Sequence, residues 1–301
     1  MEVSSPGRIC LFGEHQDYLG LPVVAMAISL RAKIIGQKRE DQQVIIHKPD
    51  ISESEKFSLD GLSYTKQRDY FKSGINICIG EGLVFSNGFE CEITSKIPIQ
   101  AGVGSSSAVM VNWIHFLSQM ADTPVIWNEQ KIGELAYKAE VLEFNEPGGM
   151  MDQYTASIGH MLYLVSEPTI SIKSLKPSLG SFVLGDSCEP KDTMRILQRC
   201  RDAQVKIIQK LKKKTPNFNI HTSEDVDLSL LNEEEKNIFR GTIKNRNILR
   251  KVLPELNREA PEPALIGARL IEHHAVLRDV LKISTPKIEA MLDASLDAGA
   301  L

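Results

Sequence analysis

The chain has 301 residues, 42% hydrophobic and 25% charged, and its 35 basic and 39 acidic side chains leave a formal net charge of −4. That length can bury the cores of two domains, and the mild negative charge offers no footprint for nucleic acid or an anionic membrane. The longest apolar run, residues 21–30, is about half of the ~20 residues that a membrane span needs. The first five residues carry no secretory signal. Five scattered cysteines without a Cys-x-x-Cys pair predict reduced thiols in a cytoplasmic protein rather than a structural metal site.

Taken in order, the chain opens with Pro-Gly-Arg-Ile-Cys-Leu-Phe-Gly-Glu-His-Gln-Asp-Tyr over residues 6–18. Gly7 and Gly13 bracket an apolar stretch, which predicts a short buried strand delivering a polar loop. Arg8, Glu14, His15, Asp17 and Tyr18 crowd into this segment. Such a density of hydrogen-bonding groups suits a polyhydroxylated ligand, because each buried hydroxyl needs a partner. Residues 23–28, 32–36 and 43–47 read as strands, 60–68 as a polar loop, 69–82 as a helix and 89–97 as an alternating strand. A glycine- and serine-rich loop follows at 100–107. Behind it Val109, Met110, Trp113, Phe116 and Leu117 fall at helical spacing. A further helix is predicted over 129–144. Pro147-Gly148-Gly149 breaks the chain before a short helix at 150–157. Residues 162–165, 169–172 and 181–184 read as strands, and from about 191 the pattern is helical. The basic run Lys210, Lys212, Lys213 and Lys214 reads as a solvated helix C-terminus. Strands followed by helices in each half predict a two-domain α+β protein, with a boundary between 155 and 180.

Three segments carry chemistry. Small residues at 100–107 let a ligand approach the backbone. A helix starting there leaves amides free at the positive end of its dipole, a geometry that binds phosphate; the serines could equally cap that helix. Neither a Walker nor a Rossmann glycine pattern occurs. Ile132, Ala136 and Glu140 recur along one core-directed helix face. An unpaired carboxylate there costs roughly several kcal/mol, so Glu140 needs a metal ion or a basic side chain. Asp152 sits just after a Gly-Gly break, flanked by Met150 and Met151, an acid in apolar company. It is a candidate general base, or else an acid favoured by a helix N-terminus. His47, His115, His160 and His221 are isolated and read as structural. His273 and His274 are adjacent on a helix and face different ways, which argues against a paired metal site.

Together, residues 6–18, 98–108 and 148–153 resemble the GHMP small-molecule kinase superfamily and, within it, the galactokinases. Residues 17–31 resemble the continuation of the galactokinase signature, and 267–301 resemble the family's late helices. The resemblance implies an α+β GHMP kinase fold with a ribosomal-protein-S5-like N-terminal domain, 1–165, a ferredoxin-like C-terminal domain, 166–301, and the site between them. It implies ATP-dependent phosphorylation of galactose, or a related sugar, at the anomeric hydroxyl, with Mg2+ as cofactor. In such a kinase Glu14, His15 and Asp17 would hold sugar hydroxyls, with Gly149 against the sugar. Asp152 would take the hydroxyl proton, and Arg8 would sit beside it and stabilise the transferring phosphoryl group. Gly102, Val103, Gly104, Ser105, Ser106 and Ser107 would wrap the ATP phosphates. Ser106 and Glu140 would ligate Mg2+, hard oxygen donors for a hard cation. The implied partners are a small-molecule sugar and ATP, with neither nucleic acid nor membrane, in a cytoplasmic monomer or weak homo-oligomer.

Cys10 stands where galactokinases usually carry Asn, and Gln100 where Gly is usual. Family members carry a glycine-rich motif just after a segment like 297–301, where this sequence ends, so the C-terminal domain is expected to be incomplete. Galacturonate, N-acetylgalactosamine and arabinose are alternatives to galactose; for a uronate, Lys191 or Lys244 could supply the positive partner. A non-catalytic galactokinase-like sensor would tend to lose parts of the phosphate loop or the catalytic acid, yet Ser105, Ser106, Ser107 and Asp152 are all present.

Overall fold

The computed structural model describes residues 1–189 and 192–301, so Lys191 lies outside the described residues. Two units share the chain: Met1–Ile9 with Met26–Gly159, and Cys10–Ala25 with His160–Leu301. The expected division at 165/166 differs from these units at 160–165 and at 10–25. Residues 10–25 join the second unit because Leu19 and Leu21 are buried there against Ile207, Leu211 and Phe218.

The first unit is built on β1 (Glu2–Phe12) as far as Ile9, β2 (Val23–Lys38) from Met26 onward, β3 (Gln43–Lys48), β4 (Glu53–Ser58) and β5 (Phe89–Ser95). The strands run in the order β4-β3-β5-β2, with β1 on β2. β3 lies antiparallel to β4 and parallel to β5, with Ile46 opposite Glu55 on one side and Cys91 on the other. β2 meets β5 antiparallel, pairing Ile34 with Ile93. Val44 and Ile46 are fully buried while Ile45 and His47 are not, the period-two pattern of a strand with one face in a core. Where two strands were expected at 23–28 and 32–36, one continuous strand forms. β4 was not expected at all. It stands at the end of the order and is rich in polar residues, held partly by Lys48 pairing with Glu53 and Glu55.

Four helices cover this sheet's apolar residues: α1 (Tyr70–Gly80), α2 (Ser105–Met120), α3 (Glu129–Tyr137) and α4 (Met151–Ile158). Trp113 anchors them. Its ring stacks on Phe116, meets Phe71 and Phe89 edge-on, and donates Nε1–H to Phe71 O at 2.9 Å. The helix expected over 129–144 does not run through. After α3 the backbone widens into a π-helical turn, Lys138–Leu142, which carries Glu140.

In the second unit β6 (Met161–Val165) and β7 (Ser171–Leu175) form an antiparallel hairpin. α5 (Thr193–Lys214), α6 (Glu233–Leu256), α7 (Pro263–Asp279) and α8 (Pro286–Asp297) follow. α6 starts with a capping box in which Asn232 and Glu235 satisfy each other's backbone amides. The strand expected at 181–184 does not form. Phe182, Val183 and Leu184 are exposed there, and β propensity without a neighbouring strand makes no ladder. Among the described residues no helix is long and apolar enough to cross a membrane. None of the five cysteines is disulfide-bonded.

Candidate active site

β1 carries Arg8 into the glycine- and serine-rich loop of the first unit. The Arg8 amide donates to Val103 O at 2.9 Å, and Nη1 donates to Gly102 O at 2.6 Å. Its other face meets Asp152 fork to fork: Nε donates to Oδ1 at 2.7 Å and Nη2 donates to Oδ2. A planar bidentate pair of this kind fixes orientation as well as distance. Arg8 is 10% exposed and Asp152 27%, so the carboxylate is held yet still reachable. Asp152 also lies in the first turn of α4, where the helix dipole favours negative charge. Gly149 precedes that turn.

Two glycines make this approach possible. A Cβ on Gly7 would come within 2.8 Å of Val103 O. Gly104 has φ +74°, and a Cβ there would meet Arg8 Cγ at 3.2 Å. Gly104 is also the N-cap of α2, and no side chain caps that helix. The alternative in which a serine caps α2 therefore fails: Ser105, Ser106 and Ser107 are the first three helical residues. Their hydroxyls stand beside the uncapped amides of the first turn, at the positive end of the helix dipole.

Glu140 is 4% exposed. Its Oε2 accepts from Gln153 Nε2 at 2.7 Å, and the hydroxyls of Ser106 and Ser107 donate to the same carboxylate. Burial pushes the Glu140 carboxyl up from its ordinary pKa, and the nearby Asp152 charge adds to this. Among the described residues, the groups that bond it are neutral donors, and none is a basic side chain. Gln153 bonds Ser107 Oγ at 3.2 Å through the same Nε2, while its own Oε1 is buried without a hydrogen-bond partner. A buried carboxylate, a serine hydroxyl and an unsatisfied amide oxygen are hard donors that fit Mg2+. Gln153 was not singled out from the sequence. Its only signal there was its place beside Asp152.

The second unit holds the other predicted residues. Residues 14–18 form a loop in which His15 adopts φ +62°. Tyr18 OH donates to Gln204 Oε1 at 2.7 Å and lies 3.3 Å from His15 Nδ1. With its proton committed to Gln204, the phenol accepts from His15 Nδ1–H, and His15 Nε2 faces the Glu14 carboxylate at 3.8 Å. Gln204 Nε2 donates onward to Thr242 Oγ1 at 2.9 Å. Burial raises the Tyr18 pKa well above its usual value, so the phenol stays protonated. Asn245 Nδ2 holds Glu14 O at 3.0 Å, Ser166 Oγ holds Asp17 O at 3.3 Å, and Asp17 Oδ1 accepts from the Tyr18 amide.

His273, on α7, was passed over in the sequence. It is 4% exposed, lies 6.0 Å from the Phe12 ring, and burial pushes its pKa down to about 4. Its neighbour His274 instead pairs with Glu289 at 2.8 Å. Lys244 follows a different direction from Asn245, because adjacent helical residues diverge by about 100°; it lines a cavity on α6.

Residues 1–38 match the galactokinase galactose-binding signature, and residues 69–160 match the GHMP kinases N-terminal domain. A mevalonate kinase of Pyrococcus abyssi is 27% identical over 285 residues, covering 89% of this chain and 84% of its own. A galactokinase of Pasteurella multocida is 23% identical over 308 residues, covering 97% of this chain and 78% of its own. The crystal structure of Lactococcus lactis galactokinase complexed with galactose superposes with a TM-score of 0.82 at 19% identity, over 98% of this chain and 79% of that one. At that identity the likeness establishes a shared fold.

Proposed function

The chain belongs to the GHMP kinase superfamily, ATP-dependent small-molecule kinases of mixed α/β fold, and from that premise we propose that it phosphorylates galactose or a close relative at the anomeric hydroxyl. The observation that carries the reading is the bidentate Arg8–Asp152 pair beside an uncapped, serine-bearing helix start. Phosphoryl transfer needs little covalent help from a protein; it needs positioning and compensation of negative charge. Asp152 accepts the proton of the attacking hydroxyl. Arg8 orients that carboxylate and offsets charge on the moving phosphoryl group. The amides and hydroxyls of Ser105, Ser106 and Ser107, with the backbone of Gly102, Val103 and Gly104, cradle the nucleotide phosphates. Ser106 and Glu140 would hold Mg2+, which when bound neutralises phosphate charge.

We assign Glu14, His15 and Asp17 to the substrate's hydroxyls. Two carboxylates beside an imidazole form a loop dense in hydrogen-bonding groups, suited to hydroxyl donors. The mevalonate kinase relatives motivate a second reading, in which the substrate is an acid bearing one alcohol. Glu14 and Asp17 would repel such a carboxylate, which favours a neutral sugar. An ADP-release panel of galactose, N-acetylgalactosamine, galacturonate, arabinose and mevalonate separates these. The sugar reading expects turnover on galactose or N-acetylgalactosamine and none on mevalonate. Turnover on mevalonate alone overturns it, and sugar binding without ADP release would mark a sensor.

A further inference from the structure

A cavity of about 580 Å³ opens in the second unit along α6 and the loop before it. Its volume falls within the range of about 300–1,000 Å³ that small-molecule sites occupy. Arg240, Lys244 and Lys251 line it. Their spacing, four and then seven residues, puts them in one stripe along roughly 16 Å of helix. Val226, Leu228 and Ile243, each half-buried, supply apolar surface in the same cavity.

The charge balance points to an anion. Three acids also line the cavity, but two are already neutralised. Arg246 and Arg250 hold Glu224 at 2.6 and 3.2 Å, and Arg269 holds Glu272 at 2.7 Å. That leaves Asp225. Among the described residues, Arg240, Lys244 and Lys251 make no ion pair within 4.0 Å, and Glu233, whose charge Arg240 feels through space, is itself held by Lys236 at 2.6 Å. Three unpaired cations against one unpaired acid leave the cavity two positive charges in excess. A phosphate monoester carries about −1.5 to −2 charges near neutral pH, which matches that excess.

We propose that this cavity is a second ligand site, taking a small organic phosphate with an apolar body. The phosphate sits between Arg240 and Lys244, which are one turn apart and close enough to share it. The body lies on Val226, Leu228 and Ile243. This site is separate from the residues assigned to the sugar. Asn245, beside Lys244 in sequence, turns about 100° away to hold Glu14 O.

The test is calorimetric titration of the whole chain with hexyl phosphate as the probe, and with inorganic phosphate and hexanol as controls. Hexyl phosphate is expected to bind at one equivalent, at least about tenfold tighter than inorganic phosphate, with no heat from hexanol. Lys244→Glu, on an exposed side chain, is expected to weaken it at least about tenfold. Arg240→Glu should do the same, and circular dichroism confirms that both variants fold. Ser106→Ala, in the first unit, should leave the affinity unchanged. Absence of binding to the wild type, undiminished binding to both charge-reversed variants, or loss of binding in Ser106→Ala would each overturn the proposal.

Discussion

Arg8 and Asp152 in the first unit are held by ion pairing, whereas His15 and Tyr18 in the second hang on a relay of side-chain hydrogen bonds. On the proposed function, the first arrangement brings formal charge where negative charge develops, and the second positions hydrogen-bonding groups for hydroxyls. The difference separates two tasks. Stabilising a transition state needs fixed charge aimed at the reacting atoms. Recognising hydroxyls needs acceptors held in place, with every supporting polar group satisfied.

The charged side should break most severely. Asp152→Ala is expected to lower kcat at least ~10²-fold, with the sugar KM little changed, in an ADP-release assay. Near-normal turnover would remove Asp152 from the chemistry.

Glu140 sharpens the comparison through pH. Its folded pKa is raised, so the native state holds a proton that the unfolded state releases. Its favourable contribution is present below the ordinary carboxylate pKa and is lost as pH rises through the raised folded value. In EDTA, the wild type should therefore lose stability relative to Glu140→Gln as pH climbs from about 4 to about 7. Added Mg2+ should restore the wild type only, and thermal denaturation across that range checks both. Parallel curves for the two proteins would remove the buried-charge account of the site.

The hydrogen-bonded side should fail more gently. Tyr18→Phe deletes the hydroxyl that joins His15 to Gln204 and strands Gln204 Oε1. A loss of about 1–3 kcal/mol in chemical denaturation is expected, with a raised sugar KM and a largely preserved kcat. An unaltered KM would detach the relay from substrate binding.

Much of this was legible residue by residue. The alternation at Val44 and Ile46 reads as a strand, and the spacing around Trp113 reads as α2, because each pattern repeats with its element's own period. Gln100 shows a departure that geometry explains. It sits at φ +60°, the left-handed region where the glycine usual in galactokinases meets no steric cost. Other features were not legible. β4 is polar because it stands at the end of the strand order, so it shows no apolar alternation to read. The stretch at 181–184 has strand-like residues yet lies exposed and unpaired into a strand. Gln153 acquires its place only because α4 packs against α2 and α3, bringing it to Ser107 and Glu140.

The order of amino acids by itself determined where donors, acceptors and flexible glycines lie along the chain, since those depend on side-chain chemistry and local backbone freedom. Tertiary structure decided which of them act on one another. It joined Arg8 to Asp152 across 144 positions, made Gly104 rather than a serine the cap of α2, and buried Glu140 among neutral donors. The physical reason is that desolvation and pairing are set by neighbours in space, and those neighbours come from segments far apart in the chain.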